Sequence, residues 1–124
     1  MTLVIGGAYQ GKLECVMEKH QGKSVCQCDL DNPEMDLSAD VINSLHLMML
    51  AQIRAGVDSL TYINDKLPEM KDKIIICDDI SCGVVPVDPE TRQWRETAGR
   101  CLALLSKNAD EVIRIFCGIE SRIK

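Results

Sequence analysis

Thr2-Leu3-Val4-Ile5-Gly6-Gly7-Ala8-Tyr9-Gln10-Gly11-Lys12-Leu13 is the stretch whose reading decides the fold. Thr2 to Ile5 is a short β-prone run that ends in glycines. Beyond them Leu13, Val16 and Met17 recur at helical spacing, which predicts a helix from about Lys12 to Lys19. Between strand and helix, Gly6 to Lys12 fits the pattern G-x-x-x-x-G-K. The outer glycines permit backbone angles closed to other residues, so such a loop can wrap a phosphate with its own N–H groups. The helix adds the partial positive charge of its N-terminus, and Lys12 reaches the terminal phosphates of a nucleotide. The next residue is ordinarily Ser or Thr, whose hydroxyl holds Mg²⁺. Here it is Leu13, which has no ligand atom, so the metal needs another holder or is absent. The competing reading is a plain glycine turn with a solvated lysine.

Working outward, Ser24 to Cys28 reads as a second strand and Asp29 to Asp36, with Pro33, as a loop. Residues from about Ser38 to Ala55 are apolar almost all round and read as a buried helix. Ser38 or Asp40 would cap its start, and Gly56 stands where a stop belongs. Val41-Ile42 could instead end a strand, and periodicity alone leaves that open. Residues 58–70 form a weaker helix disturbed by Pro68. Lys73 to Cys77 is a buried strand closing on Asp78-Asp79. Asp88-Pro89 is a helix start, with Asp as cap and Pro in the first turn. Ala98, Cys101, Leu102 and Leu105 line one face of that helix, which reaches about Asn108. Val112 to Cys117 is the last strand expected, with Gly118 after it. Continuous apolar strands alternating with helices predict an α/β fold, P-loop NTPase-like, with a mainly parallel sheet and helices on both faces. One domain over residues 1–124 is expected from the length.

Composition narrows the function. Aromatic residues are 3% of the chain, so Ile, Leu, Val, Met and Cys must fill the core. A net charge of −5 argues against nucleic acid as a partner, which needs a basic footprint. The run Leu45 to Ala51 contains His46 and is far too short to cross a membrane. The N-terminus shows no basic region before an apolar stretch, so a signal peptide is not expected. Seven cysteines, several inside apolar runs (Cys77, Cys101, Cys117), read as reduced core thiols of a cytoplasmic protein. Cys26 and Cys28 alternate as on a strand and lack the spacing of a zinc knuckle, so no protein metal site is expected.

From Ile75 to Lys124 the chain resembles the adenosylcobinamide kinase/adenosylcobinamide-phosphate guanylyltransferases of cobalamin biosynthesis. The residues that carry the likeness are Asp78-Asp79 after a buried strand, Gly83-Val84-Val85-Pro86, Arg92-Gln93-Trp94-Arg95-Glu96 with Gly99, Ala109-Asp110-Glu111-Val112, and the tail from Gly118 to Lys124. The Gly6-Gly7-Ala8 start matches the family's glycine-rich loop. Two departures stand out. The family's helix with a histidine that takes up GMP has no counterpart here, since the second strand passes almost at once into Asp29 to Asp36. Neither His20 nor His46 matches that nucleophile. The family's Asp-Cys-Leu-Thr, whose aspartate sits near the metal, corresponds to Asn43-Ser44-Leu45-His46. A further pair, Asn-Gln after the helix glycine, has become Cys101-Leu102.

The resemblance implies GTP or ATP as ligand, with Mg²⁺ if a holder exists, a corrinoid (cobinamide) as second substrate, and assembly into small homo-oligomeric rings. Gly6, Gly7, Ala8, Tyr9, Gln10, Gly11, Lys12 and Leu13 would hold the nucleotide. Lys12, Asp78 and Asp79 would serve catalysis, the aspartates on a metal or on the substrate hydroxyl; capping a strand end is their equal alternative. Arg92 and Arg95 would touch phosphate or substrate, or stand as solvated helix charges. Trp94 would pack on the core or line an interface. Guanylyl transfer needs a nucleophilic imidazole and is not expected, whereas phosphoryl transfer depends on positioning and charge. A reduced kinase, a non-catalytic regulatory partner and a structural relative without a ligand are the three functional readings.

Overall fold

The computed structural model describes residues 1–80 and 87–124, so Gly83-Val84-Val85-Pro86 lies outside the described residues. Strand β1 (Thr2–Gly6) leads through the glycine loop into helix α1 (Lys12–Lys19), then β2 (Val25–Gln27) and β3 (Val41–Asn43). Helices α2 (Leu45–Ala55) and α3 (Ser59–Lys66) follow, the latter running into a 3-10 turn, Leu67–Met70. Strand β4 (Ile74–Asp78), the long helix α4 (Pro89–Asn108), β5 (Glu111–Phe116) and β6 (Ile119–Arg122) complete the order.

The strands form one sheet in the order β2-β3-β4-β1-β5-β6, parallel except where β6 turns back antiparallel on β5. This is the expected α/β, P-loop NTPase-like architecture. Val4, Val41, Ile74, Ile76 and Ile115 meet Val16 of α1 on one face. Leu3, Ile42, Ile75, Cys77 and Val112 pack under α2, α3 and α4 on the other. Alternate strand residues therefore bury on both sides, which is why these strands read as continuous apolar runs.

One open reading is decided, for Val41-Ile42 as a strand, and two expectations are corrected. The apolar stretch from about Ser38 is not one helix. Val41-Ile42-Asn43 is a strand, and the helix starts at Leu45 after Ser44, whose backbone is left-handed (φ 60). Both elements are buried on all sides, so neither shows a polar face by which to part them. Ser38 and Asp40 cap no helix: Ser38 bonds to Asp36, and Asp40 to Ser24. The chain also ends in a hairpin, with Cys117 (φ 50) and Gly118 (φ 76) as its turn. Cys117 is accordingly exposed and no part of the core, while Cys28, Cys77 and Cys101 are buried. Burial pushes the thiols of Cys28 and Cys101 up to about 12, so they stay protonated. The start at Asp88 holds: its carboxylate accepts from the Thr91 N–H at 3.0 Å and caps α4. Gly56 (φ 75) ends α2 as expected.

Candidate phosphate-binding site

Parallel pairing brings the carboxyl ends of β1, β3 and β4 to one edge of the sheet, where open α/β folds bind ligands. Gly6 stands level with Asp78 in the β1–β4 register, and the Asp79 N–H donates to the Gly6 carbonyl at 2.8 Å. From Gly6 the loop turns through left-handed Tyr9 (φ 59) and Gly11 (φ 81) into α1. A Cβ on Gly6 would stand 2.5 Å from the Ile115 carbonyl oxygen of β5, so only glycine fits there. No side chain caps α1. Its first-turn N–H groups point along the axis toward the loop, the arrangement that favours an anion. Gln10 stitches the loop to the C-terminal hairpin. Its side-chain oxygen accepts from the Cys117 N–H (2.5 Å), and its carbonyl from the Gly118 N–H (3.0 Å).

Lys12 is buried, its ammonium folded onto the Gly7 carbonyl (2.6 Å) and the Asp78 carboxylate (2.5 Å to Oδ1). The other carboxylate oxygen, Oδ2, lies 3.4 Å from His46 Nε2. His46 in turn accepts the Asp78 N–H on Nδ1 at 3.1 Å. Trp94 closes this cluster from α4, its indole N–H donating to the His46 carbonyl (2.7 Å) and its ring stacked on the imidazole with centroids 6.2 Å apart. Burial holds the His46 imidazole below its ordinary value, Asp78 pulls it up, and the Lys12 ammonium pushes it down.

Of the residues expected at a site, Gly6 to Lys12, Asp78 and Asp79 thus lie together at this edge. Leu13 turns its side chain against the apolar layer under α1. Arg92 is exposed near the start of α4, and Arg95 is half-buried one residue beyond Trp94. His46 is the residue that sequence reasoning undervalued. It follows a strand end, the position from which α/β proteins reach a ligand, and that was the available signal. His20 stands exposed just past the far end of α1 from the loop.

Mg²⁺ finds little to hold it. Leu13 offers no oxygen. Asn43, buried at the end of β3, donates its amide to Gln27 Oε1 at 2.6 Å and carries no charge. Both oxygens of Asp78 are engaged by Lys12 and His46. Among the described residues no group of three or more His, Cys, Asp or Glu is placed around a common point. At the two positions expected to hold magnesium, the described side chains thus offer no carboxylate or hydroxyl oxygen.

Among the described residues no helix is long and apolar enough to cross a membrane. The family model described as cobinamide kinase / cobinamide phosphate guanyltransferase matches residues 32–123. The match takes in Asn43, His46, Asp78, Asp79 and Trp94; the glycine loop lies outside it. Comparison with curated proteins returns no match.

Proposed function

The chain belongs to the cobinamide kinase / cobinamide phosphate guanyltransferase family, and from that premise we propose that it binds GTP or ATP through the Gly6–Lys12 loop but does not transfer GMP. The observation that carries this reading is the buried Lys12 ammonium, held between the loop carbonyl of Gly7 and Asp78 at the uncapped start of α1. A phosphate entering the loop would meet the amides and this ammonium together, and would draw Lys12 from Asp78. Asp78, so released, is the group best placed to accept a proton from a substrate hydroxyl. Asp79 borders the same edge. Arg92 and Arg95, on the first turns of α4, are assigned to outer contacts with phosphate or substrate.

Guanylyl transfer asks for an imidazole nitrogen with a free lone pair near the α-phosphate. In His46, Nδ1 spends its lone pair on the Asp78 N–H, and Nε2 faces a carboxylate. That engagement supports loss of the transferase half-reaction. Leu13 and Asn43 likewise support a weakened phosphoryl transfer, because removing electrostatic help of this kind costs about two to three orders of magnitude per group. A binding role in cytoplasmic cobalamin assembly or salvage, in which the whole chain acts as one domain and self-associates, fits best; a regulatory partner subunit is the second reading. Incubation with GTP labelled at the α-phosphate, with cobinamide phosphate present, tests it. No covalent label and no guanylylated product are expected from protein that binds the nucleotide; acid-labile GMP on the chain would refute the proposal.

A further inference from the structure

Beside the loop, on the face of the sheet away from α1, lies a cleft of about 170 Å³ lined by Gly6, Gly7, Gln10, Asp79, Arg114 and Phe116. Arg114 and Phe116 are two residues apart on β5 and so project from the same face. Phe116 is the chain's sole phenylalanine, yet it is 63% exposed in a protein otherwise short of aromatics. Placing it there forgoes the burial that a core position would provide.

We infer that this cleft seats the base of the nucleotide, with the planar ring lying on Phe116 and Arg114 donating to its acceptor edge. The inference rests on the phosphate-loop reading and adds where the organic half of the ligand goes. On the β4 side of the loop, among the described residues, Lys12, Asn43 and His46 are buried and Trp94 is stacked against His46. On the β5 side the loop is open to the cleft. The volume suits a single flat ring system and falls well below that of pockets that enclose larger ligands, so a corrinoid does not fit there. Stacking on an aromatic face is tolerant of base identity, so adenine and guanine are both accepted by Phe116. Discrimination between them falls to Arg114 and Asp79, since guanine offers N7 and O6 as acceptors and its amino group as donor.

Titration of the full chain with GTP, ATP and inorganic tripolyphosphate, for the natural protein and for Phe116→Ala, Phe116→Tyr and Arg114→Ala, decides it. Both positions are exposed, so folding should survive, and thermal melting checks this. Phe116→Ala should weaken both nucleotides about tenfold and leave tripolyphosphate unchanged. Phe116→Tyr should restore binding, and Arg114→Ala should alter the ratio of GTP to ATP affinity. Equal weakening of tripolyphosphate, no change in nucleotide binding, or a change only in sedimentation would overturn the inference. If the natural protein bound neither nucleotides nor tripolyphosphate, the loop reading itself would fall. Intact tripolyphosphate binding with nucleotide binding indifferent to Phe116 would sink the base seat alone.

Discussion

Since Nδ1 of His46 accepts the Asp78 N–H, that nitrogen is unprotonated, and the neutral ring carries its one proton on Nε2, toward the carboxylate. Protonating the ring would break the backbone bond and add charge beside the buried Lys12 ammonium. The folded state therefore holds the imidazole neutral below its ordinary range, while the unfolded chain binds a proton near pH 6.5. The unfolded state then carries more protons, and stability falls as pH drops below about 6.5, by at most about 1.4 kcal/mol per pH unit for one proton. The lowered carboxyls of Asp36 and Asp40, held down by hydrogen bonds from Ser38 and Ser24, act only below about pH 4. Urea unfolding at pH 7, 6 and 5 should show the slope in the natural protein and lose it in His46→Asn. An equal slope in both would remove His46 from that role. None of this was readable beforehand, because the Asp78–His46 bond joins residues 32 apart in sequence. The glycine spacing and Lys12 were legible because that site is local.

Among the elements, β1 and β5 meet so closely at the loop that Gly6 has no space for a methyl group. Gly6→Ala must push β5 aside, and a thermal melt should show a loss of about 1–3 kcal/mol together with weakened phosphate binding. Full stability in that variant would mean that the strands part easily. Trp94 ties α4 to the first turn of α2 through one hydrogen bond to the His46 carbonyl. Trp94→Phe keeps a ring but removes that hydrogen bond, at a cost of about 1 kcal/mol by chemical denaturation. Element types were legible where local signals agreed, as at the Asp88 cap of α4 and the Ile74–Cys77 run of β4. They were not legible at the β3–α2 junction, where burial on every side erases both periodicities. Strand β6 escaped as well, because all four of its residues are exposed and no apolar alternation marks them.

At the scale of the molecule, the strand order β2-β3-β4-β1-β5-β6 assembles the loop, Asp78 and Asn43 at one edge. Alternation of strands and helices announced a parallel sheet, but which strands lie side by side depends on packing far along the chain. The same assembly leaves magnesium without its usual ligands. Nucleotide affinity should accordingly change little when Mg²⁺ is removed with chelator. The double variant Leu13→Ser, Asn43→Asp should acquire a Mg²⁺ dependence, and a strong dependence already present in the natural chain would contradict the ligand assignment. All of this presupposes a working phosphate loop, and isothermal titration of the natural protein and of Lys12→Ala with GTP and ATP tests that most directly. Saturable binding that Lys12→Ala abolishes is the predicted result. Absence of heat with both nucleotides, or binding indifferent to Lys12, would mean that the glycine turn holds no phosphate.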